Sequence, residues 1–139
     1  MSTTEELENE LKSAKNIHTY ISSQEENLVY SSLQDYLKMK MEEYGLLKKD
    51  VVKRSNLQTS YAYEILSGTK QPKRDKLIQL CFGFPFSVDE INRALQLGGY
   101  NGLYVRDRRD ACIAFAAGKR MGIIDLNLLL EDEGLEILE

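Results

Sequence analysis

The chain is poor in the residues that carry chemistry. Its 139 residues hold one histidine, two cysteines and two prolines. His18, Cys81 and Cys112 lie far apart in sequence and cannot close a four-ligand zinc site between them. No Ser-His-Asp or Cys-His set has the spacing that nucleophilic catalysis needs, and no G-x-x-x-x-G-K-[ST] phosphate cradle occurs. Gly98, Gly99 and Gly102 read as a helix end and a loop, and the acidic cluster at 131–136 lacks the spacing of a calcium loop. His18 sits at an apolar helix position and reads as a packing residue. These absences predict a protein that is not an enzyme and has no metal and no cofactor. No apolar run approaches the roughly 20 residues of a membrane-spanning helix, and Met1 to Glu10 is polar and acidic, unlike a secretory signal. A cytoplasmic chain with two buried, reduced thiols and no membrane contact is expected.

What is present is a core and an uneven charge. Hydrophobic residues make up 42% of the chain, enough to build a packed interior. The net charge of −4 hides three blocks. Residues 1–37 carry two lysines against seven acids, 38–76 carry ten basic residues against five acids, and 77–139 carry six against ten. A basic middle between acidic ends is the pattern of a local polyanion site; solvated helix faces would give a similar count.

Apolar residues recur at spacings of three and four, and strand-like alternation is almost absent, so the chain reads as all-α. Leu7, Leu11, Ala14, His18 and Ile21 form one stripe on a helix over Thr4 to Ser22. A second helix runs from about Ser32 to Tyr44, with Leu33, Tyr36, Leu37 and Met41 inward, and ends at Gly45 in a left-handed cap. A short helix spans Lys48 to Ser55 with Val51 and Val52 inward. Asn56, the best non-glycine residue for a left-handed turn, follows it. Another short helix spans Thr59 to Leu66, with Gln58 or Thr59 near its cap, and stops at Gly68. A helix begins after Pro72 and runs to about Phe82. Ser87 and Glu90 then make a capping box for a helix that ends at Gly98 and Gly99.

The remainder repeats what precedes it. Residues 74–100 align without a gap on 109–135, at an offset of 35. Arg74 and Asp75 fall on Arg109 and Asp110, Gly83 on Gly118, Asn92 on Asn127 and Gly99 on Gly134. The apolar pairs include Leu80 with Phe115, Val88 with Ile123 and Ile91 with Leu126. One helical pair buries too little surface alone, so two copies stacked on a shared core are expected. Arg106, Arg108, Arg109 and Asp110 at the second copy's start serve either as salt bridges onto the first copy or as a further phosphate or partner contact.

The stretch K-K-D-V-V-K-R-S-N-L-Q-T-S-Y-A-Y-E-I-L-S-G at Lys48 to Gly68, followed by T-K-Q-P and the R-D-K-L-I-Q-L helix, resembles the Cro/CI-type helix-turn-helix regulators, the XRE family. The resemblance covers about Ser32 to Gly99. It implies an all-α, five-helix phage-repressor-like domain whose second short helix enters the major groove of double-stranded DNA. Carried over by position, Gln58, Thr59, Ser60, Tyr61, Tyr63 and Glu64 face the bases. Lys48, Lys49, Lys53, Lys70, Lys73 and Arg74 face the phosphates, while Ala62, Ile65 and Leu66 face the core. Glutamine pairs with adenine, and glutamate accepts from cytosine N4. The sequence departs from the family at Val52, where alanine is preferred, and at Asn56, where glycine is usual. Residues 58–66 also hold no arginine or lysine.

The sequence thus predicts an N-terminal helix and linker at 1–31, a DNA-binding domain at 32–100 and a helical hairpin packed on it at 101–139. The N-terminal helix would serve packing or dimerisation. The function expected is a sequence-specific transcriptional regulator, a homodimer acting by occupancy of its operator. The alternative is a protein-interaction module on the same fold, such as an antitoxin, antirepressor or signalling adaptor, with Tyr61 and Tyr63 on its partner surface.

Overall fold

A computed structural model describes residues 32–139. The stripe at Thr4 to Ser22 lies outside the described residues. Seven helices and no strand occur among the described residues: α1 (Leu33–Tyr44), α2 (Lys48–Ser55), α3 (Thr59–Leu66), α4 (Arg74–Cys81), α5 (Val88–Leu97), α6 (Arg108–Gly118) and α7 (Ile123–Asp132). The all-α reading holds.

Several helix ends follow from local chemistry. The Ser32 hydroxyl accepts from Asp35 N at 3.0 Å and opens α1. Ser87 and Glu90 bond reciprocally at the start of α5, the capping box expected from their spacing. The Asp107 carboxylate accepts from Asp110 N at 2.9 Å and opens α6. At the C-terminal ends, Gly45, Gly99 and Gly134 take positive φ of 65°, 89° and 70°. In each case the next residue's N–H reaches a carbonyl five residues back, Leu46 to Met41, Tyr100 to Leu95 and Leu135 to Leu130.

The core forms where the apolar stripes meet. Leu37, Val51, Ala62, Leu77, Ile78, Leu80, Ile91 and Leu95 are all buried. Helices α1, α2 and α3 pack around the α4–α5 pair, α1 against α3 and α5, and α2 against α3 and α4. Glu90 ties α5 to α1: the Tyr44 hydroxyl donates to it at 2.7–2.8 Å and Lys40 pairs with it at 2.9 Å. Burial alone would raise the Glu90 carboxyl, but the Ser87 amide, Lys40 and Tyr44 outweigh it and hold the group below its ordinary value.

The repeat is present in three dimensions, and it reaches further than residue 135. Leu103 N donates to Asn92 Oδ1 at 2.7 Å, and Leu138 N donates to Asn127 Oδ1 at 2.8 Å. Arg74 Nε donates to Asn101 O and its Nη2 to Gly102 O; Arg109 does the same to Glu136 O and Ile137 O. The junction between copies is reciprocal. Arg74 grips Asp110 through two hydrogen bonds of 3.0 and 2.9 Å, and Arg109 grips Asp75 through two of 2.9 and 3.0 Å. An arginine and an aspartate adjacent in each copy thus exchange partners across the junction.

The two copies differ in what covers them. Leu80 is fully buried, whereas Phe115, its equivalent, is 54% exposed. A Cβ on Gly83 would lie 2.4 Å from Val51 O in α2, so only glycine lets that backbone approach. A Cβ on Gly118 would meet open space. Leu80 and Phe115, matched in sequence, thus differ in burial: α2 packs against the end of α4 at Gly83, and Phe115 stays exposed. Cys81 is buried and Cys112 half-buried, both free. Burial pushes the Cys81 thiol well above its ordinary value.

Candidate nucleic-acid interface

Two short helices and the turn between them carry the residues singled out from the sequence. In α2, Val51 and Val52 are buried. Valine at 52 is accommodated without breaking the unit. Ser55 is fully buried, and its hydroxyl donates to Val52 O at 2.7 Å while accepting from Leu57 N at 3.2 Å. This one side chain closes the helix and fixes the first residue after the turn. Asn56 takes φ 58°, ψ 23°, the left-handed geometry expected of it. Leu57 then drops into the core. Gln79 in α4 is buried beneath the turn and donates to Ser55 O at 3.4 Å.

In α3 the buried residues are Ala62, Ile65 and Leu66, as its spacing requires. The opposite face presents Gln58, Thr59, Ser60 and Tyr63 to solvent. Gln58 occupies the cap position without a side-chain capping bond, so its amide is free to act outward. Tyr61 and Glu64 are half-buried, and Tyr61 packs against the core. Four of the six base-contact candidates, Gln58, Thr59, Ser60 and Tyr63, are thus fully presented. Gly68 ends the element with φ 83°; a Cβ there would strike the Gln34 side chain at 2.2 Å. Glu64 O accepts from Thr69 N, Lys70 N and the Ser67 hydroxyl, which folds the following loop back on the end of α3.

The phosphate-contact candidates divide. Lys48, Lys49, Lys53, Lys70 and Lys73 are exposed and enter no ion pair among the described residues. Lys48 and Lys49 occupy the first turn of α2. There the helix already ends in unsatisfied N–H groups with partial positive charge, so two lysines stand against the local field. A bound polyanion would relieve that conflict. Lys70 lies at the C-terminal end of α3, and Lys73 caps α4. Arg74 is placed elsewhere: its guanidinium is committed to Asp110 and to the carbonyls of Asn101 and Gly102. Its partner raises its pKa, and its work is to hold the two copies together.

Sequence reasoning passed over two residues here. Ser55 is the hydrogen-bonded hinge of the turn, a role an isolated serine in a charged stretch does not advertise. Arg54 is exposed in the last turn of α2 and enters no ion pair among the described residues; the R-S-N run beside the turn was the available signal.

Among the described residues no group of three His, Cys, Asp or Glu is placed to hold a metal ion, and no helix is long and apolar enough to cross a membrane. Comparison with protein-family models, curated proteins and solved structures finds no match.

Proposed function

We propose that the chain is a non-enzymatic, sequence-specific DNA-binding regulator with a five-helix, repressor-like helix-turn-helix domain of the Cro/CI type. Residues 48–66 form its reading unit, α3 lies in the major groove, and the chain works as a homodimer. The observation that carries this reading is the pairing of two short helices about a left-handed Asn56, with a polar outer face on α3 and five unpaired lysines around it. Gln58, Thr59, Ser60 and Tyr63 supply the base contacts. Lys48, Lys49, Lys53, Lys70 and Lys73 supply the phosphate contacts that fix register. Dimers of this geometry set two reading helices about 34 Å apart, one turn of DNA. Occupancy is the whole mechanism, and the cytoplasm is where it operates.

One observation favours the second reading, a protein-interaction module on the same scaffold. Phe115, Ile124 and Leu128 are 54%, 67% and 57% exposed on the second helical pair. Exposed apolar groups on one helical pair suit a protein contact better than a DNA one.

Binding of the purified chain to fragmented genomic DNA separates the two. At about 50 mM salt we expect tight binding that falls by several decades at about 200 mM, because each neutralised phosphate adds nearly one unit to the salt slope. Replacing Lys48 and Lys49 with glutamate should reduce that slope by about two units and weaken all sequences alike. Absence of binding even at low salt would discard the DNA reading in favour of the interaction module, and loss of a protein complex in Tyr61→Ala, Tyr63→Ala would then locate its surface.

A further inference from the structure

Where α2, the loop after α4 and the α6–α7 loop converge, a half-open cleft of about 260 Å³ enters the molecule. Its walls are apolar, built from Phe82, Phe84, Ile91 and Met121, and its rim carries two arginines, Arg54 and Arg120. Neither guanidinium makes an ion pair or a side-chain hydrogen bond among the described residues. Asp50 and Asp125 line the groove beside Arg54 and pair with neither.

Arg120 is held there against its local preference. It is the left-handed residue that closes α6, at φ 56°, with Arg120 N bonded to Ala117 O at 3.1 Å and Met121 N to Ala116 O at 2.9 Å. The four other described helices that close with this pattern use glycine, at Gly45, Gly68, Gly99 and Gly134. An arginine in this conformation is strained where glycine is not. A long cation therefore sits at a glycine position, at an apolar cleft whose lining holds a second cation, Arg54, unpaired among the described residues.

We propose that this cleft binds a small amphiphilic carboxylate, its apolar tail among the phenylalanines and its head between Arg54 and Arg120. The planar guanidinium fork matches a carboxylate in two parallel hydrogen bonds. The volume equals about nine liquid-water volumes at ~30 Å³ each, which accommodates a tail of roughly eight heavy atoms. Arg54 lies two residues before Asn56, so a head group shared with Arg120 ties the end of α2 to the α6–α7 loop and fixes the angle at which α3 is offered to DNA. That last step, ligand control of DNA binding, rests on the DNA-binding reading; the ligand site itself does not.

The test is thermal unfolding of the full chain, without DNA, titrated with octanoate. A saturable rise in melting temperature is expected, with little effect from octanol, which lacks the charge, or acetate, which lacks the tail. Arg54→Gln should weaken octanoate binding about tenfold or more, the loss of one charge-assisted pair. Arg120→Gly relieves the backbone strain, so it should leave the unliganded fold as stable as before or more so while losing the octanoate response. No saturable rise, an equal rise with octanol, or an unchanged response in Arg120→Gly would each overturn the proposal. DNA affinity with and without octanoate then reads the regulatory step alone. A ligand that binds but leaves DNA affinity unchanged would overturn only that step.

Discussion

Asn56 and Arg120 are the two non-glycine residues with positive φ among those described, and they answer to different demands. Asn56 makes the turn on which α3 hangs. Its short polar side chain tolerates the left-handed region, where a Cβ residue without such a group loses about 1–2 kcal/mol. Asn56→Ala should therefore destabilise the chain by about 1 kcal/mol, whereas Asn56→Gly should be neutral or slightly stabilising. Urea unfolding monitored by circular dichroism measures both, and equal losses in the two variants would show that the asparagine side chain, not the backbone angle, is what matters. Ser55 beside it shows why such a site is only half legible in sequence. The turn could be read from Asn56 because conformation follows residue type. The buried hydroxyl could not, because its partners, Val52 O and Leu57 N, come within reach only once the turn is folded.

Among the elements, the α4–α6 junction shows how much sequence periodicity conveys. The offset of 35 reveals two related helical pairs and marks Arg74, Asp75, Arg109 and Asp110 as equivalent. It leaves open whether the copies stack in series, as in a solenoid, or face one another. The reciprocal pairs show that the starts of α4 and α6 meet side by side, so Arg74, which its basic neighbours led one to expect on DNA, is found at the junction. The pairs are not equal. Asp110 has 9% of its side chain exposed and also accepts from Tyr104 N at 2.9 Å; Asp75 has 42% exposed. Asp110→Asn should cost about 2–3 kcal/mol, since it leaves a partly buried arginine and an amide underserved. Asp75→Asn, in a solvent-screened pair, should cost about 1 kcal/mol or less. Acidity supplies a second readout. Burial raises the Asp110 carboxyl, but Arg74 and the Tyr104 amide more than offset this and leave it below its ordinary 3.8. A carboxylate lowered on folding stabilises above its unfolded pKa, and that contribution is lost as pH falls through the folded value. Stability between pH 7 and 5 should thus be flat at this site and decline below about pH 4, with a shallower decline in Asp110→Asn. An unchanged acid limb in that variant would assign the loss to other carboxylates, Glu90 foremost.

For the molecule as a whole, duplication leaves one copy clothed and the other bare. Leu80 and Gly83 lie under α2; Phe115 and Gly118, at the same positions in the second copy, face outward together with Ile124 and Leu128. The last two stand where the first copy has Asp89 and Arg93, so this face has gained apolar groups rather than merely lost a cover. If the proposed homodimer forms through this face, a second copy would bring the same exposed apolar groups to meet it. The two positions should then behave oppositely. Leu80→Ala removes a fully buried side chain and should lower stability by about 2–5 kcal/mol at any protein concentration. Phe115→Ser should cost far less at nanomolar concentration, because the ring is 54% exposed and the Lys119 ammonium lies over it. For the unaltered chain the melting temperature should climb with concentration, as mass action requires of a fold stabilised by its own association, and Phe115→Ser or Leu128→Ser should abolish the climb. Salt should leave that climb intact, since apolar burial is not screened, while it should weaken the proposed lysine contacts to DNA. A melting temperature indifferent to concentration would remove the dimer from this face and leave it to a different protein, the role that the interaction-module reading gives it.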